Sequence, residues 1–310
     1  MKYAIISDIH GNYPALEAVL KDAEAGGADM YLFIGDYCSG FPYCNEVAET
    51  LRGLKNATII AGNHEGYLQN LHAQDQSTWT DKQFGLIYWC YRNLSPESLD
   101  FLMGLPQTAI VENKHGNIHL AHSRGIFFKY PNKIEYMHSN FFRNKMEEEP
   151  FTHDEYLKRA REAVLSRKEA LEEINALPGG VYLFGHNHLQ FDMEFEGRLF
   201  INPGSCGEAL DGDKTAAYTW LEYSNNGWVI TERRVPYDIE KVVARLHESG
   251  YSTFAPHWSS LYERVLHNGF DYIGEFFIHL KAAAERNGEL TQPFSNKTWD
   301  EAVEAWNCKY

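Results

Sequence analysis

Long hydrophobic runs are missing from this sequence. Its apolar stretches, such as residues 30–34, are strand-length and fall far short of the roughly 20 residues a helix needs to cross a bilayer, so no membrane-embedded function is expected. No charged start, apolar core and small-residue cleavage site precedes the strand-like residues 1–8, so no secretory leader is expected either. Cysteine is scarce. The five present (Cys38, Cys44, Cys90, Cys206, Cys308) are odd in number and form no C-x-x-C pair, which fits reduced thiols in a cytoplasm better than a disulfide framework. Basic residues are in deficit, 28 against 43 acidic ones, for a formal charge of −15. Such a chain repels long polyanions, so non-specific nucleic-acid binding is disfavoured, whereas a local metal centre can still attract a small phosphorylated molecule. Repeats and low-complexity tracts are also absent. What remains is an ordinary globular balance, 44% apolar and 23% charged over 310 residues, enough for a sizeable core without staples.

The first hundred residues alternate. Residues 2–7, 30–34 and 58–61 are strand-like runs, and between the first two Leu16, Val19, Leu20 and Ala23 repeat with helical period. Asn12 is placed to cap that helix, with Pro14 in its first turn, and Asn45 to cap a second one carrying Val47, Leu51 and Leu54. This order implies parallel pairing. Residues 80–105 read as mostly helical, followed by strands at 108–112 and 117–121. Residues 123–180 break the pattern and read as an insertion, either a lid over a site or a solvated excursion. Its aromatics Tyr130, Tyr136, Phe141 and Phe142 suit a small core better than a stacking surface. A strand at 181–184 and hairpins turning at Glu196-Gly197-Arg198 and Asn225-Asn226-Gly227 complete a two-sheet α/β reading. Residues 1–250 form the expected domain. Residues 251–310 read as a C-terminal helical extension that could pack on the domain, make an oligomer or dock a partner.

Five short clusters fall at the ends of predicted strands: Asp8-Ile9-His10, Gly35-Asp36, Gly62-Asn63-His64-Glu65, Ala121-His122 and Gly185-His186-Asn187-His188. Sites in open α/β sheets lie beyond the carboxyl ends of strands, where loops converge. Asp8 to Asp36 spans 28 residues and Asp36 to Asn63 spans 27, each one strand–helix–strand unit. Imidazoles, carboxylates and an amide oxygen without thiolate suit divalent transition ions (Mn, Fe, Zn, Ni or Co). Most other histidines (His72, His115, His138, His153, His247, His257, His267, His279) read as structural, and His119 as a satisfied core residue.

In these clusters the chain resembles the calcineurin-like metallophosphoesterase superfamily, with its pattern D-x-H, G-D, G-N-H-[ED], H and G-H-x-H. Asn202-Pro203-Gly204-Ser205, Asp211-Gly212-Asp213 and Arg234-Val235-Pro236-Tyr237-Asp238 are similar to its small bacterial phosphodiesterase-like branch. The resemblance covers about residues 1–250 outside the insertion. It implies a two-sheet sandwich flanked by helices, with an inserted cap. It further implies that Asp8, His10 and His188 hold one metal, that Asn63, His122 and His186 hold another, and that Asp36 bridges the two. A hydroxide shared by the ions would attack a phosphoester, with a diester as the leading reading, and His64 would act as general acid. Glu65 could orient His64 or serve the helix start.

Protein Ser/Thr phosphatases continue G-D with x-x-D-R-G. Here Gly35-Asp36-Tyr37-Cys38-Ser39-Gly40 lacks both the acid and the arginine, which weakens that activity. Arg124, two residues past His122, could replace the missing phosphate contact or be an ordinary loop residue. The enzymatic alternatives are a dinucleoside polyphosphate hydrolase or a protein phosphatase. The non-enzymatic alternative, a metal-free scaffold for partner proteins, sits poorly with a complete ligand set. Cys38 and Cys206 flank motif residues and read as buried, inert thiols.

Overall fold

A computed structural model of the chain describes residues 1–129, 152–224 and 227–309. Strands β1 (Lys2–Ile6), β2 (Met30–Phe33) and β3 (Ala57–Ile59) are separated by helices α1 (Tyr13–Ala25) and α2 (Cys44–Gly53) and pair in parallel. The hairpin of β9 (Ala216–Ser224) and β10 (Gly227–Val235) adds antiparallel to β1, giving the order β10-β9-β1-β2-β3. The second sheet comprises β4 (Thr108–Val111), β5 (Ile118–Ala121), β6 (Gly180–Leu183), β7 (Gln190–Phe195) and β8 (Arg198–Pro203), ordered β4-β5-β6-β8-β7. Both sheets mix parallel and antiparallel pairs, so the early units and late hairpins are shared between the layers.

Side-chain alternation explains the layering. Tyr3, Ile5, Leu32, Ile34, Leu120, Leu183 and Ile201 fill the space between the sheets. Their neighbours Ala4, Ile6 and Phe33 turn outward onto Leu16, Val19, Val47 and Leu51 of α1 and α2. Each fully buried aliphatic side chain there contributes about 1.5–3 kcal/mol. Asn12 caps α1 as expected, accepting from Ala15 N at 3.3 Å. Asn45 does not cap α2. It lies inside the first turn and holds the chain between α4 (Gly85–Asn93) and α5 (Pro96–Met103), bonding Asn93 O and Ser95 N at 2.8 Å each.

Helices α6 (His153–Leu165) and α7 (Lys168–Asn175) lie within the expected insertion but pack on the outer face of the second sheet. There Ala160, Val164, Ala170 and Ile174 meet Tyr182, Phe184 and Phe200. This pair is a structural layer of the sandwich. Tyr130, Tyr136, Phe141 and Phe142 lie outside the described residues, as does the Asn225-Asn226 turn. The C-terminal helices α8 (Ile239–Glu248), α9 (Tyr251–Phe254), α10 (Pro256–Asn268), α11 (Tyr272–Arg286) and α12 (Asn296–Lys309) share a core of Trp258, Tyr262, Phe276, Leu280, Trp299 and Trp306. Phe41 and Trp89 from the sandwich belong to that core, as do Val242 and Leu246 from before residue 250. Among the described residues no helix is long and apolar enough to cross a membrane.

Candidate metal centre

The motif loops leave the strand ends with unusual backbones. Asp8 (φ 54°), His10 (52°), Asp36 (57°), His186 (72°) and His188 (58°) all lie in the left-handed region. Such conformations cost a side-chain-bearing residue about 1–3 kcal/mol each and persist only where surroundings over-determine them. Here the loops brace one another. Asp8 N donates to Gly35 O at 3.1 Å, His10 N to Asp36 O at 3.0 Å, and Gly207 N to Asp8 O at 3.0 Å. Ser205, from the Asn-Pro-Gly-Ser run, donates to Asp8 O at 2.7 Å. Close approach requires glycine at two points: a Cβ on Gly62 would overlap Asp36 Oδ1, and one on Gly185 would overlap Ser7 Oγ.

These loops bring the predicted donors together. Asp8, His10 and His188 form one group and Asp36, His122 and His186 another, with the donor atoms of each within 4.8 Å of one another. His10 Nε2 lies 3.3 Å from His188 Nε2, which is 3.3 Å from Asp8 Oδ1. Asn63 Oδ1 joins the second group, 3.1 Å from His122 Nε2 and 2.8 Å from His186 Nδ1. Asp36 Oδ2 lies 3.1 Å from His122 Nε2 and 3.9 Å from His10 Nε2, so one carboxylate faces both groups. Two clusters of His and Asp residues are thus positioned to bind divalent ions.

The ring orientations fit that purpose. Nδ1 of His10, His122 and His188 sits 3.0, 2.6 and 2.7 Å from the carbonyls of Ser39, Ile34 and Glu208. Because a carbonyl only accepts, each Nδ1 carries the proton and each Nε2 is turned to the cluster, the arrangement that orients metal-ligating histidines. Burial alone would lower the His122 and His188 rings, but the carboxylates of Asp36 and Asp8 outweigh it and hold them at about 9 and about 10. The same histidines hold Asp8 and Asp36 below the usual carboxylate range against the opposing effect of burial. A dication would take the place of those ring protons.

His64 stands at the edge. Its backbone N donates to Asp36 Oδ1 at 2.9 Å, its Nε2 is 3.9 Å from Asp36 Oδ2, and its buried Nδ1 has no partner. With His10 and Asp36 it forms a third potential donor group. Glu65 does not orient His64. It is fully buried, accepting from Gly62 N (2.8 Å), Asp36 N (3.0 Å) and Tyr37 N (2.9 Å), and so locks the start of α3 (Asn63–His72) to the Gly35-Asp36 loop. Glu208, missed in the sequence, places a buried carboxylate 3.6 Å from His10 Nδ1. No local pattern marks it, because only the fold carries it to the cluster. His119 stacks on Tyr182, away from the donors. Cys38 and Cys206 are buried with thiols pushed up by desolvation, as inert cysteines should be. The backbone of Arg124 opens a short 3-10 turn, and its side chain is outside the described part of the structure.

A cleft of about 1040 Å³ opens over the cluster. His10, Asp36, Asn63, His64, His186 and His188 line one part of it. Trp258, Tyr262, Phe277, Ile278 and Lys281 of the C-terminal helices line another. The two family-like runs beyond the histidine hairpin serve the joint with that extension: Arg234 is ion-paired with Asp211, and Gly212 N donates to Gly269 O at 2.8 Å.

Comparison with known proteins agrees with this geometry. A family model described as the calcineurin-like phosphoesterase superfamily domain matches residues 1–226. The chain is 26% identical over 260 residues to "Uncharacterized protein MJ0912" of Methanocaldococcus jannaschii, covering 78% of this chain and 90% of that one. Its fold is similar to a metallophosphoesterase from Sphaerobacter thermophilus (TM-score 0.59, 22% identity, 87% of this chain and 99% of that one). It is also similar to the hypothetical protein PH1004 from Pyrococcus horikoshii (TM-score 0.58, 16% identity, 86% and 98% covered). With the motif loops, the paired donor groups and a family match over most of its length, this chain belongs to the calcineurin-like phosphoesterase superfamily.

Proposed function

We propose that the protein hydrolyses small phosphodiesters at a dinuclear centre. One observation carries the reading: the Asp36 carboxylate faces both donor groups, as a carboxylate shared between two ions would. Asp8, His10 and His188 would hold one ion, and Asn63, His122 and His186 the other, drawn from Mn, Fe, Zn, Ni or Co. Bound there, the ions would supply hydroxide near neutrality and offset charge on the phosphoryl oxygens. His64 is the general acid. Burial lowers its ring to about 3, and an incoming phosphoryl anion restores the proton affinity needed to protonate a departing oxygen. The size of the cleft supports a diester, because it extends well past the donor groups and leaves room for both alcohol substituents.

Elemental analysis of the purified protein, paired with cleavage of bis(p-nitrophenyl) phosphate after Mn²⁺ addition, tests this. About two transition ions per chain with Mn²⁺-stimulated cleavage is the expected result. No bound metal and no rescue by added metal would overturn it and favour a binding scaffold.

A further inference from the structure

Resting on that phosphodiesterase reading, we propose that the cleft holds a subsite, built partly by the C-terminal helices, for a planar amide-type group on one substrate alcohol. Gln83 lines the cleft and is only 5% exposed, yet neither its amide nitrogen nor its amide oxygen has a hydrogen-bond partner. The indole nitrogen of Trp258, a second cleft residue, is likewise buried and unpartnered. Buried polar groups are nearly always paired, so these two orphans, lying in the same cleft as the unpartnered His64 Nδ1, point to a partner that arrives with a ligand. An amide offers an adjacent donor and acceptor and therefore matches a ligand edge with the complementary pair. Tyr67, Phe84, Tyr88 and Phe277 line the same cleft and supply apolar faces for a flat group.

The segment bearing Gln83 is clamped to the extension. Lys82 N donates to Asn296 Oδ1 at 2.8 Å, Lys82 Nζ pairs with Asp300 at 2.6 Å, and Asn296 Nδ2 donates to Thr80 O at 2.9 Å. Both amide atoms are shielded from solvent, so binding would turn the Gln83 side chain into the cleft it lines, and the new pairing would offset that rotation. Nucleobases and primary carboxamides share the required edge.

The test uses the full Mn²⁺-loaded chain and three p-nitrophenyl phosphodiesters, whose second alcohol is methanol, thymidine or 3-hydroxypropanamide, a primary carboxamide. The thymidine ester, the primary carboxamide ester or both should exceed the methyl ester in kcat/KM by at least about tenfold. Which of them does so identifies the source of the edge. In Gln83→Leu that ratio should collapse toward one, with a thermal midpoint equal to or above the parent's because an unpaired buried amide is gone. Trp258→Phe, which removes the other orphan donor and leaves a smaller ring in the same core position, should lower the ratio as well and serves if the first variant does not fold. Equal rates on all three esters, or an unchanged ratio in both variants, would overturn the subsite and leave the orphans to ordered water. Failure to bind metal or to cleave any ester would instead overturn the phosphodiesterase reading.

Discussion

Two walls of the same cleft are built on opposite principles. The strand-end wall is polar, and five of its donors (Asp8, His10, Asp36, His186 and His188) sit on left-handed backbones braced by carbonyls, Ser205 and Glu65. The helical wall, with Trp258, Tyr262, Phe277 and Ile278 on the cleft, is backed by a packed aromatic cluster in which Trp258, Phe276, Trp299 and Trp306 bury one another. Hydrogen bonds and electrostatics position atoms to within tenths of an ångström, as metal chemistry demands. Apolar packing fixes shape and tolerates exchange, as a specificity surface demands. The division suggests that chemistry and selectivity can be broken separately.

The largest effect should come from the shared carboxylate. Asp36→Asn should abolish turnover while circular dichroism shows the fold retained, and activity close to the parent's would remove Asp36 from the bridging role. His64→Ala should slow cleavage by about 10²–10⁴-fold with metal content unchanged. Because His64 also lies within reach of a donor group, loss of metal in that variant would make it a ligand instead. In the core behind the other wall, Trp306→Ala should cost about 3–5 kcal/mol in chemical denaturation, since the ring is buried and sits 5.7 Å from Phe276. A small loss there would mean that the extension is only loosely packed.

Glu65→Gln sharpens the comparison further. One amide oxygen cannot replace a carboxylate that accepts from three backbone N–H groups, so metal affinity should fall by about 10–100-fold in a chelator competition. The smallest effect is one of pH on the metal-free chain. Despite burial, carboxylate neighbours raise His122 to about 9 and His188 to about 10, above the roughly 6.5 of an unfolded histidine. Their stabilisation is complete below about pH 6.5 and is lost as pH rises through 9 to 10. Asp8 and Asp36, whose values are depressed, stabilise above about pH 4 and lose that contribution in acid. Thermal midpoints of metal-free protein should therefore decline between pH 6.5 and 9, and Mn²⁺ should flatten the decline by replacing the ring protons. A flat metal-free profile would mean that these rings are neutral.

Asp8, His10, Asp36, Asn63, His122, His186 and His188 were legible in the sequence because each follows a strand signal, and the β1–β2–β3 alternation was legible for the same reason. The period of side chains along a strand and the residue types at its end are local properties. By itself the sequence thus determined the layered α/β architecture, the donor chemistry and the acidic character that disfavours polyanions. Only the tertiary structure decided the rest. It moved the second half of the expected insertion onto the outer face of a sheet, and it gave Glu65 three backbone partners in place of His64. It also brought Glu208 to His10 and set Gln83 beside helices more than 170 residues away in the chain. Those placements depend on which surfaces pack together across long stretches of chain. No local pattern records that, because buried area is gained by the whole assembly and not by any one segment.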